Sequence, residues 1–286
     1  MHDLFGAALL CPASIATWGE GKAREWATVE AQIAARVATA AVRHLDETGF
    51  RIGGRTRWLH TVSTAAMTYY RVRAQRGAMV EALRGGVIVH DHFKPYFTLP
   101  DVEHALCNAH HLRELKALTE IEKEPWAGRM SRLLVRASRR VARAVAQGSG
   151  ALAADCARRI VAVYDAILKR GFAFHEAQSP LARRNGARGR SPRRVGHNLL
   201  QRLRDHKAAV LRFVCDFAVP FTNNQAEQDI RMMKVKMKIS GGFRAWGGAE
   251  TFTTLRSVLS TARKQGWNIL QTLTAPPTAL IMKLPG

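Results

Sequence analysis

A membrane-spanning helix requires an apolar run of about 20 residues, and the sequence has no uninterrupted run of that length. Its first ten residues lack a basic start and are too short to form a convincing secretory signal peptide. The cysteines are few and scattered, without a Cys-x-x-Cys pair, which argues against a disulfide framework and a four-cysteine zinc site. We therefore expect free thiols in a cytoplasmic protein that does not contact a membrane. The cysteines are Cys11, Cys107, Cys156 and Cys215.

Acidic residues are also scarce. The 286 residues include 22 Asp and Glu against 44 Lys and Arg, so the net charge is +22 and the pI is about 11.0. Such an excess repels itself unless a polyanion is the partner, and nucleic acid is the leading candidate. A ribosomal or chromatin-type packing protein shares this charge but not usually six Trp and 47% apolar residues. The length allows one large domain or two ordinary ones.

Residues 1–41 are predicted to form a helical lead-in. Proline and glycine at positions 12, 19 and 21 indicate an irregular start. From Lys22 onward, apolar residues recur every three or four positions, which predicts an amphipathic helix. These apolar residues are Trp26, Val29, Ile33 and Val37.

The next 50 or so residues show the alternation and the turn residues of a small sheet. Three extended segments in a row predict an antiparallel meander, and a later apolar run is typical of a buried parallel strand. This order predicts an α/β protein whose mixed sheet has a helix on one face. The predicted strands are 42–52, 57–63, 67–73 and 87–91, and a short helix is predicted at 75–83.

Two aspartates lie on the predicted sheet, Asp46 within the first strand and Asp91 at the end of the fourth. If these strands are neighbours, the carboxylates lie side by side, which is costly unless they share a cation. Oxygen-only ligands favour Mg²⁺ or Mn²⁺ over zinc. The simpler interpretations are a turn-proximal acid for Asp46 and a helix or loop cap for Asp91.

A third carboxylate, Glu227, lies in the first turns of a predicted helix that continues as a basic segment. Ile230 and Met233 are spaced to share its apolar face. The helix is predicted to begin with a capping residue and to carry cations along its length. The capping candidates are Thr222, Asn223 and Asn224, and the cations are Arg231, Lys234 and Lys238. Alternatively, Glu227 only favours the helix dipole of a solvated helix.

The most basic part of the chain lies between the second aspartate and Glu227. From residue 129 to 212 there are 20 Lys and Arg against four acids, 16 of the 22 net charges. Helices are predicted at 125–146, 151–170 and 196–214, with an Arg/Gly-rich loop that can follow a phosphate backbone. A generic solvated surface is the alternative. The loop arginines taken as DNA-binding candidates are Arg183, Arg184, Arg188 and Arg190.

Two further segments carry weaker signals. Cys107, His110 and His111 could ligate zinc by residue type, but Cys-x-x-His without a second pair is half a site, and a structural role is favoured. A structural helix is predicted at 249–264, and the tail 274–286 is predicted to be loosely ordered.

Four motifs resemble those of the insertion-sequence-66 family of bacterial transposases, over about residues 3–273. The first-aspartate motif is similar to residues 44–49, and the second-aspartate motif to residues 89–96. The family's Cys-x-x-His block resembles residues 107–113, and its glutamate motif resembles residues 222–231.

The resemblance implies an RNase H-like core of the DDE type, with three antiparallel strands, then parallel strands, flanking helices and an all-α insertion. It implies Asp46, Asp91 and Glu227 as catalytic residues and ligands of two Mg²⁺ ions, with Mn²⁺ as a substitute. The implied partners are the double-stranded DNA of element ends and target, further copies of the chain, and accessory proteins of the same element. The expected location is the bacterial cytoplasm, in association with the nucleoid. The expected parts are a core at 42–120 and 215–273 and an insertion at 121–214.

The family commonly has an N-terminal helical and zinc-binding region, and this chain is expected to start after it. A C-terminal catalytic part, separately encoded or truncated, is therefore the leading hypothesis. Asn223 and Asn224 are counted with the basic residues of the glutamate helix as DNA contacts. Two alternatives stay open: a non-catalytic DNA-binding remnant that regulates transposition, and an RNase H-like nuclease that does not join strands.

Overall fold

The computed structural model describes residues 11–77, 83–181 and 192–285. The chain divides into two compact units. The first contains the described residues of Met1–Ile88, Lys94–Val102 and Asn224–Gly286, and the second contains those of Val89–Phe93 and Glu103–Asn223. Within the described ranges, no helix is long and apolar enough to cross a membrane.

The described strands form one mixed sheet in the order β3-β2-β1-β4-β5. β1 pairs with β2, and β2 with β3, in antiparallel fashion, as the predicted meander requires. The order also confirms that the first and fourth strands are neighbours. The strands are β1 (Val42–Ile52), β2 (Arg55–Ser63), β3 (Thr68–Arg73), β4 (Val87–His90) and β5 (Glu103–Leu106).

Helices flank this sheet, which confirms the predicted α/β class. In chain order, the described helices of both units are α1 (Pro12–Glu25), α2 (Ala27–Thr39), α3 (Asn108–Glu120), α4 (Pro125–Ala146), α5 (Ala154–Glu176), α6 (Val195–Asp205), α7 (Lys207–Val210), α8 (Arg212–Cys215), α9 (Asn224–Ser240), α10 (Trp246–Lys264), α11 (Ile269–Thr274) and α12 (Pro277–Lys283). A 3₁₀ turn covers Lys94–Thr98. The helix predicted at 75–83 falls largely outside the described residues.

Helix α1 covers Pro12–Glu25, so the prediction of an irregular segment up to residue 21 was wrong from Pro12 onward, and its first ten residues lie outside the described part. Pro12 occupies the first turn of α1, where its missing N–H would have no helical partner in any case. α1 packs against α10, and this tertiary contact compensates for the low helix propensity of its two glycines. The apolar stripe predicted for the following helix is confirmed, because all four of its residues are fully buried.

In the first unit, α9 packs against β1 and β2, while α10 packs against β3. Ile230 and Met233 of α9 enter a core with Phe50 and Leu59, which confirms the predicted apolar face. On α10, hydroxyl groups bind the backbone of β3: Tyr70 N–H donates to Ser257 Oγ at 3.0 Å, and Thr68 N–H to Thr261 Oγ1 at 3.1 Å.

The glycine-rich turn after α9 brings the chain back to the end of β1. Phe243 N–H donates to Arg51 O at 2.9 Å, and Gly53 N–H donates to Phe243 O at 2.9 Å. Gly242 has a φ of 136°, and a Cβ there would lie 2.4 Å from Arg51 O. Only glycine therefore allows this close approach between the turn and the strand.

The second unit contains β5 and α3 to α8 around a core of buried side chains from α4, α5 and α6. Helix α4 has the predicted bounds, whereas the continuous helix predicted at 196–214 is broken at His206 and Leu211. The residues around the second break are buried on all sides, whereas one straight helix would turn some of them to solvent. These buried residues are Ala209, Val210, Leu211, Phe213 and Val214.

The tail is ordered, which corrects the prediction of a loose segment after residue 274. α12 packs against α2, and Leu280 is 1% exposed. Pro277 lies in the first turn of α12, so the consecutive prolines begin a helix there.

Gly86 and its neighbour Gly85 offer a matched test of how β4 is held beside β1. Both have positive φ, 60° and 59°, but only a Cβ at Gly86 would meet backbone, 2.6 Å from Ala41 O. We expect Gly85→Ala to lower the free energy of unfolding by about 1–2 kcal/mol through the left-handed backbone alone. Gly86→Ala should cost about 1–3 kcal/mol more, because the clash displaces the Val87 N–H bond to Ala41 O.

Urea unfolding of the two variants checks this order. Equal losses at the two glycines would show that the approach of β4 to Ala41 O does not contribute to stability.

Candidate active site

Asp46 lies in the middle of β1, opposite Thr61 of β2. It is half-buried, and its Oδ1 accepts the N–H of Glu47 at 2.8 Å. The antiparallel ladder between β1 and β2 extends before and after Asp46 along the chain and fixes its backbone. The carboxylate is therefore attached to a rigid strand.

The next side chain along β1, Glu47, is a structural carboxylate. It is 4% exposed, pairs with the guanidinium of Arg76 and lies 3.5 Å from His60 Nδ1. Burial lowers the pKa of His60 to about 4, so at neutral pH the ring is uncharged and Arg76 supplies the positive charge. Arg76 also lies over the ring of Trp58 at 4.9 Å. Glu47 is therefore neutralised within the fold.

Glu227 lies in the first turn of α9 and is half-buried. Ala226, Ile230 and Met233 bury the apolar face of this helix, and α9 packs against β1. The first unit thus brings together the strand that carries Asp46 and the helix that carries Glu227.

Asp229, which the sequence interpretation passed over, lies at the centre of a polar network in the first unit. Its Oδ2 accepts from Lys264 Nζ at 2.7 Å, Ser63 Oγ at 2.6 Å and Thr68 Oγ1 at 3.0 Å. Gln225 Nε2 donates to the same oxygen at 3.2 Å. Lys264 Nζ donates in addition to the carbonyl oxygens of the loop between β2 and β3. This network ties α9 to β2, β3 and α10.

The Asp229–Lys264 pair between α9 and α10 is buried, whereas the cations of α9 named as DNA contacts are exposed. Asp229 and Lys264 are 13% and 12% exposed, and burial lowers the pKa of Lys264. The predicted DNA contacts Arg231, Lys234 and Lys238 are all exposed, as is Asn224 at the start of the helix. The predicted loop arginines lie outside the described residues.

In the second unit, Asp91 follows β4 directly and is half-buried. Its Oδ1 accepts the N–H of Phe93 at 2.9 Å, the local turn contact expected of a loop cap. His90 Nε2 lies 3.1 Å from His104 Nδ1 on β5. Burial lowers the pKa of His90 to about 3, so this pair of rings carries no charge from His90 at neutral pH.

Cys107 has a structural contact in the same unit. Its Sγ accepts the N–H of Asn223 at 3.1 Å, and Asn108 N–H donates to Phe221 O at 3.1 Å. A ring nitrogen of His110 lies within 4.8 Å of the Cys107 sulfur. Asn223, predicted to contact DNA, is only 2% exposed. The described contacts thus assign Cys107 and Asn223 to the attachment of the segment that precedes α9.

The mixed five-stranded sheet with flanking helices is consistent with an RNase H-like fold. A family model described as "Transposase IS66 family" matches residues 4–251. The match covers most of the chain, and the chain therefore belongs to the IS66 family of transposases. No curated protein matches the sequence. Family membership supports a transposase role, places the chain among DNA-cutting enzymes and implies DNA as a partner.

The Asp229–Lys264 pair provides a test of the first unit's stability. We expect Asp229→Asn to lower the free energy of unfolding by about 3 kcal/mol, because Lys264 is left as a buried charge without its counter-ion. The double variant Asp229→Asn, Lys264→Met should lose less than the sum of the single losses. Chemical denaturation of the three variants measures the coupling, and additive losses would contradict a direct interaction.

His111 on α3 predicts acid sensitivity of the second unit. The ring is 2% exposed, its Nδ1 lies 3.1 Å from Asn108 Oδ1, and burial lowers its pKa to about 3. Between pH 6.5 and 3 the unfolded state binds a proton that the folded state does not. Stability should therefore fall with decreasing pH through this window, by about 1.4 kcal/mol per pH unit.

Thermal unfolding of the wild type and His111→Gln from pH 7 to pH 4 checks this assignment. The variant should have a shallower pH dependence, by about one proton, and two parallel curves would show that the pKa of His111 is the same in the folded and unfolded states.

Proposed function

We propose that this chain is the catalytic part of a DDE-type transposase, which cleaves DNA strands and transfers them during transposition of an insertion sequence. Asp46, Asp91 and Glu227 are the proposed catalytic residues. The observation that carries the proposal is the packing, within the first unit, of the strand with Asp46 against the helix with Glu227.

The donor set fits a hard divalent cation. All three side chains offer carboxylate oxygens and are half-buried, so they combine a partly dry environment with access to solvent. Mg²⁺ prefers such oxygens and keeps several waters, and Mn²⁺ accepts the same ligands. In the proposed arrangement Asp46 would hold both ions, while Asp91 and Glu227 would hold one each. The bound ions would supply an activated water or DNA 3′-OH and stabilisation of the leaving oxygen.

The cations of α9 would position the DNA. Arg231, Lys234 and Lys238 lie four, seven and eleven positions after Glu227, or about 6, 10 and 16 Å along the helix. All three are exposed and can neutralise successive phosphates as the strand leaves the carboxylates. Asn224 can contribute a further polar contact. Asn223 would need to leave its buried position to do so.

The proposed assembly is a multimer of this chain on the element ends and the target DNA, with accessory proteins of the same element. No covalent bond between protein and DNA is needed, in contrast to serine and tyrosine recombinases. The side chains proposed here hold ions and phosphates and are not themselves nucleophiles.

Nicking of a labelled DNA that carries the element ends tests the proposal. We expect Mg²⁺-dependent cleavage by the wild type and a loss of at least about 100-fold in Asp46→Ala, Asp91→Ala and Glu227→Gln. Glu122→Gln removes an exposed carboxylate from another part of the chain and serves as the matched control.

The pattern of results separates the competing functions. Salt-sensitive DNA binding without any wild-type cleavage would replace this proposal with a DNA-binding remnant. Cleavage of hybrids or junctions without strand joining would replace it with an RNase H-like nuclease. Wild-type rates in any of the three variants would contradict that residue's assignment.

A further inference from the structure

From Arg129 to Arg143, one face of helix α4 in the second unit carries only arginine. At 100° per residue, its six arginines fall within an arc of about 100°, and each of them is exposed. The 22 residues of α4 contain no Asp or Glu. The arginines, which we call the α4 arginine face, are Arg129, Arg132, Arg136, Arg139, Arg140 and Arg143.

The opposite face of α4 fixes this orientation. Trp126, Met130 and Leu134 are 3% exposed or less, and α4 packs against α3 and α5. Turning the arginines inward would expose these apolar side chains, each worth about 1.5–3 kcal/mol of burial. The helix therefore presents its cations to solvent as a permanent surface of the second unit.

Several other cations of the unit pair with acids within its described part, and the arginines of the α4 arginine face do not. Arg202 pairs with Glu114, Arg212 with Glu103, and Arg158 on the adjacent α5 with Asp155. Among the described residues, no ion pair includes an arginine of the α4 arginine face, and its one polar contact joins Arg140 to Cys156 Sγ at 3.2 Å. Residues 182–191, outside the described part, contain no acid by sequence.

The size and chemistry of this face fit a nucleic acid backbone. From Arg129 to Arg143 the helix rises about 21 Å, the axial length of about six base pairs of B-DNA. Guanidinium groups bind phosphate oxygens through two parallel hydrogen bonds, and long arginine side chains can adjust to their positions. A solvated face usually mixes both signs of charge, whereas this face has one sign along its full length.

We propose that the α4 arginine face docks on the phosphate backbone of duplex DNA. The inference rests on the proposed function in taking DNA as the substrate, and it adds a binding surface on a different element from the proposed catalytic residues. Phosphate contacts position a protein without reading sequence, so this surface would hold the duplex independently of its base sequence.

Binding of a labelled duplex without divalent metal, between 50 and 200 mM salt, tests the surface. The double variant Arg132→Gln, Arg136→Gln loses two phosphate contacts. The slope of log K against log salt should therefore become shallower by about 1.8. The reduction should be the same for two unrelated sequences. The matched control is Arg24→Gln, Arg55→Gln, which removes the same charge from exposed positions of the first unit. Its slope should remain that of the wild type.

A slope change in the α4 variant no larger than in the control would overturn the inference, and so would a loss confined to one sequence. Because binding is measured without metal, the result is separate from the proposed function. Wild-type cleavage with an unchanged α4 slope would reject this surface alone. A reduced α4 slope in a protein that never cleaves DNA would reject the catalytic proposal and retain the surface.

Discussion

The first unit depends on a buried carboxylate that is satisfied by side chains from three other elements. Asp229 takes its partners from β2, β3 and α10, so the helix that carries it cannot shift without breaking several charge-assisted bonds at once. Glu227 is two residues earlier on the same helix. Its position relative to β1 is therefore set by a group that takes no part in the proposed chemistry. Glu47 on β1 is likewise a carboxylate with a structural partner, because Arg76 neutralises it next to Asp46.

Segments with a clear local period were predictable, and segments whose form depends on distant contacts were not. β1 and α4 have their predicted bounds because alternation and helical spacing persist over eleven and 22 residues. β5 was missed because its four residues are too few to show a period and, unlike the equally short β4, do not form a continuous apolar run. Helix α1 contains two glycines, and its packing against α10 overrides their low helix propensity. Pro12 and Pro277 indicated loops in the sequence, but each lies in the first turn of a helix, where proline is favoured.

In the candidate site, too, some residues carry a local signal in the sequence, while the roles of others depend on distant contacts. Glu227 could be singled out from its place at the start of a basic helix with candidate capping residues, but nothing local distinguishes it from Asp229. The distinction comes from Lys264, which is 35 positions away and reaches Asp229 only in the folded chain. The arginines of α4 could be counted from the sequence as bulk charge. Their spacing places them on one face of the predicted helix, but the exposure of that face depends on the neighbours that bury Trp126 and Leu134 on the other side.

The hydroxyl groups of α10 have a consequence for behaviour in solution. β3 is the outer strand on its side of the sheet, and outer strands with open N–H groups invite another chain to add a strand. The hydroxyls of Ser257 and Thr261 accept two of those N–H groups, from Tyr70 and Thr68. Helix α10 therefore leaves fewer open N–H groups on which another chain could add a strand. Both hydroxyls lie beyond residue 251, where the family match ends. A chain cut at that point would keep all of the proposed catalytic carboxylates and lose the protection of its sheet edge.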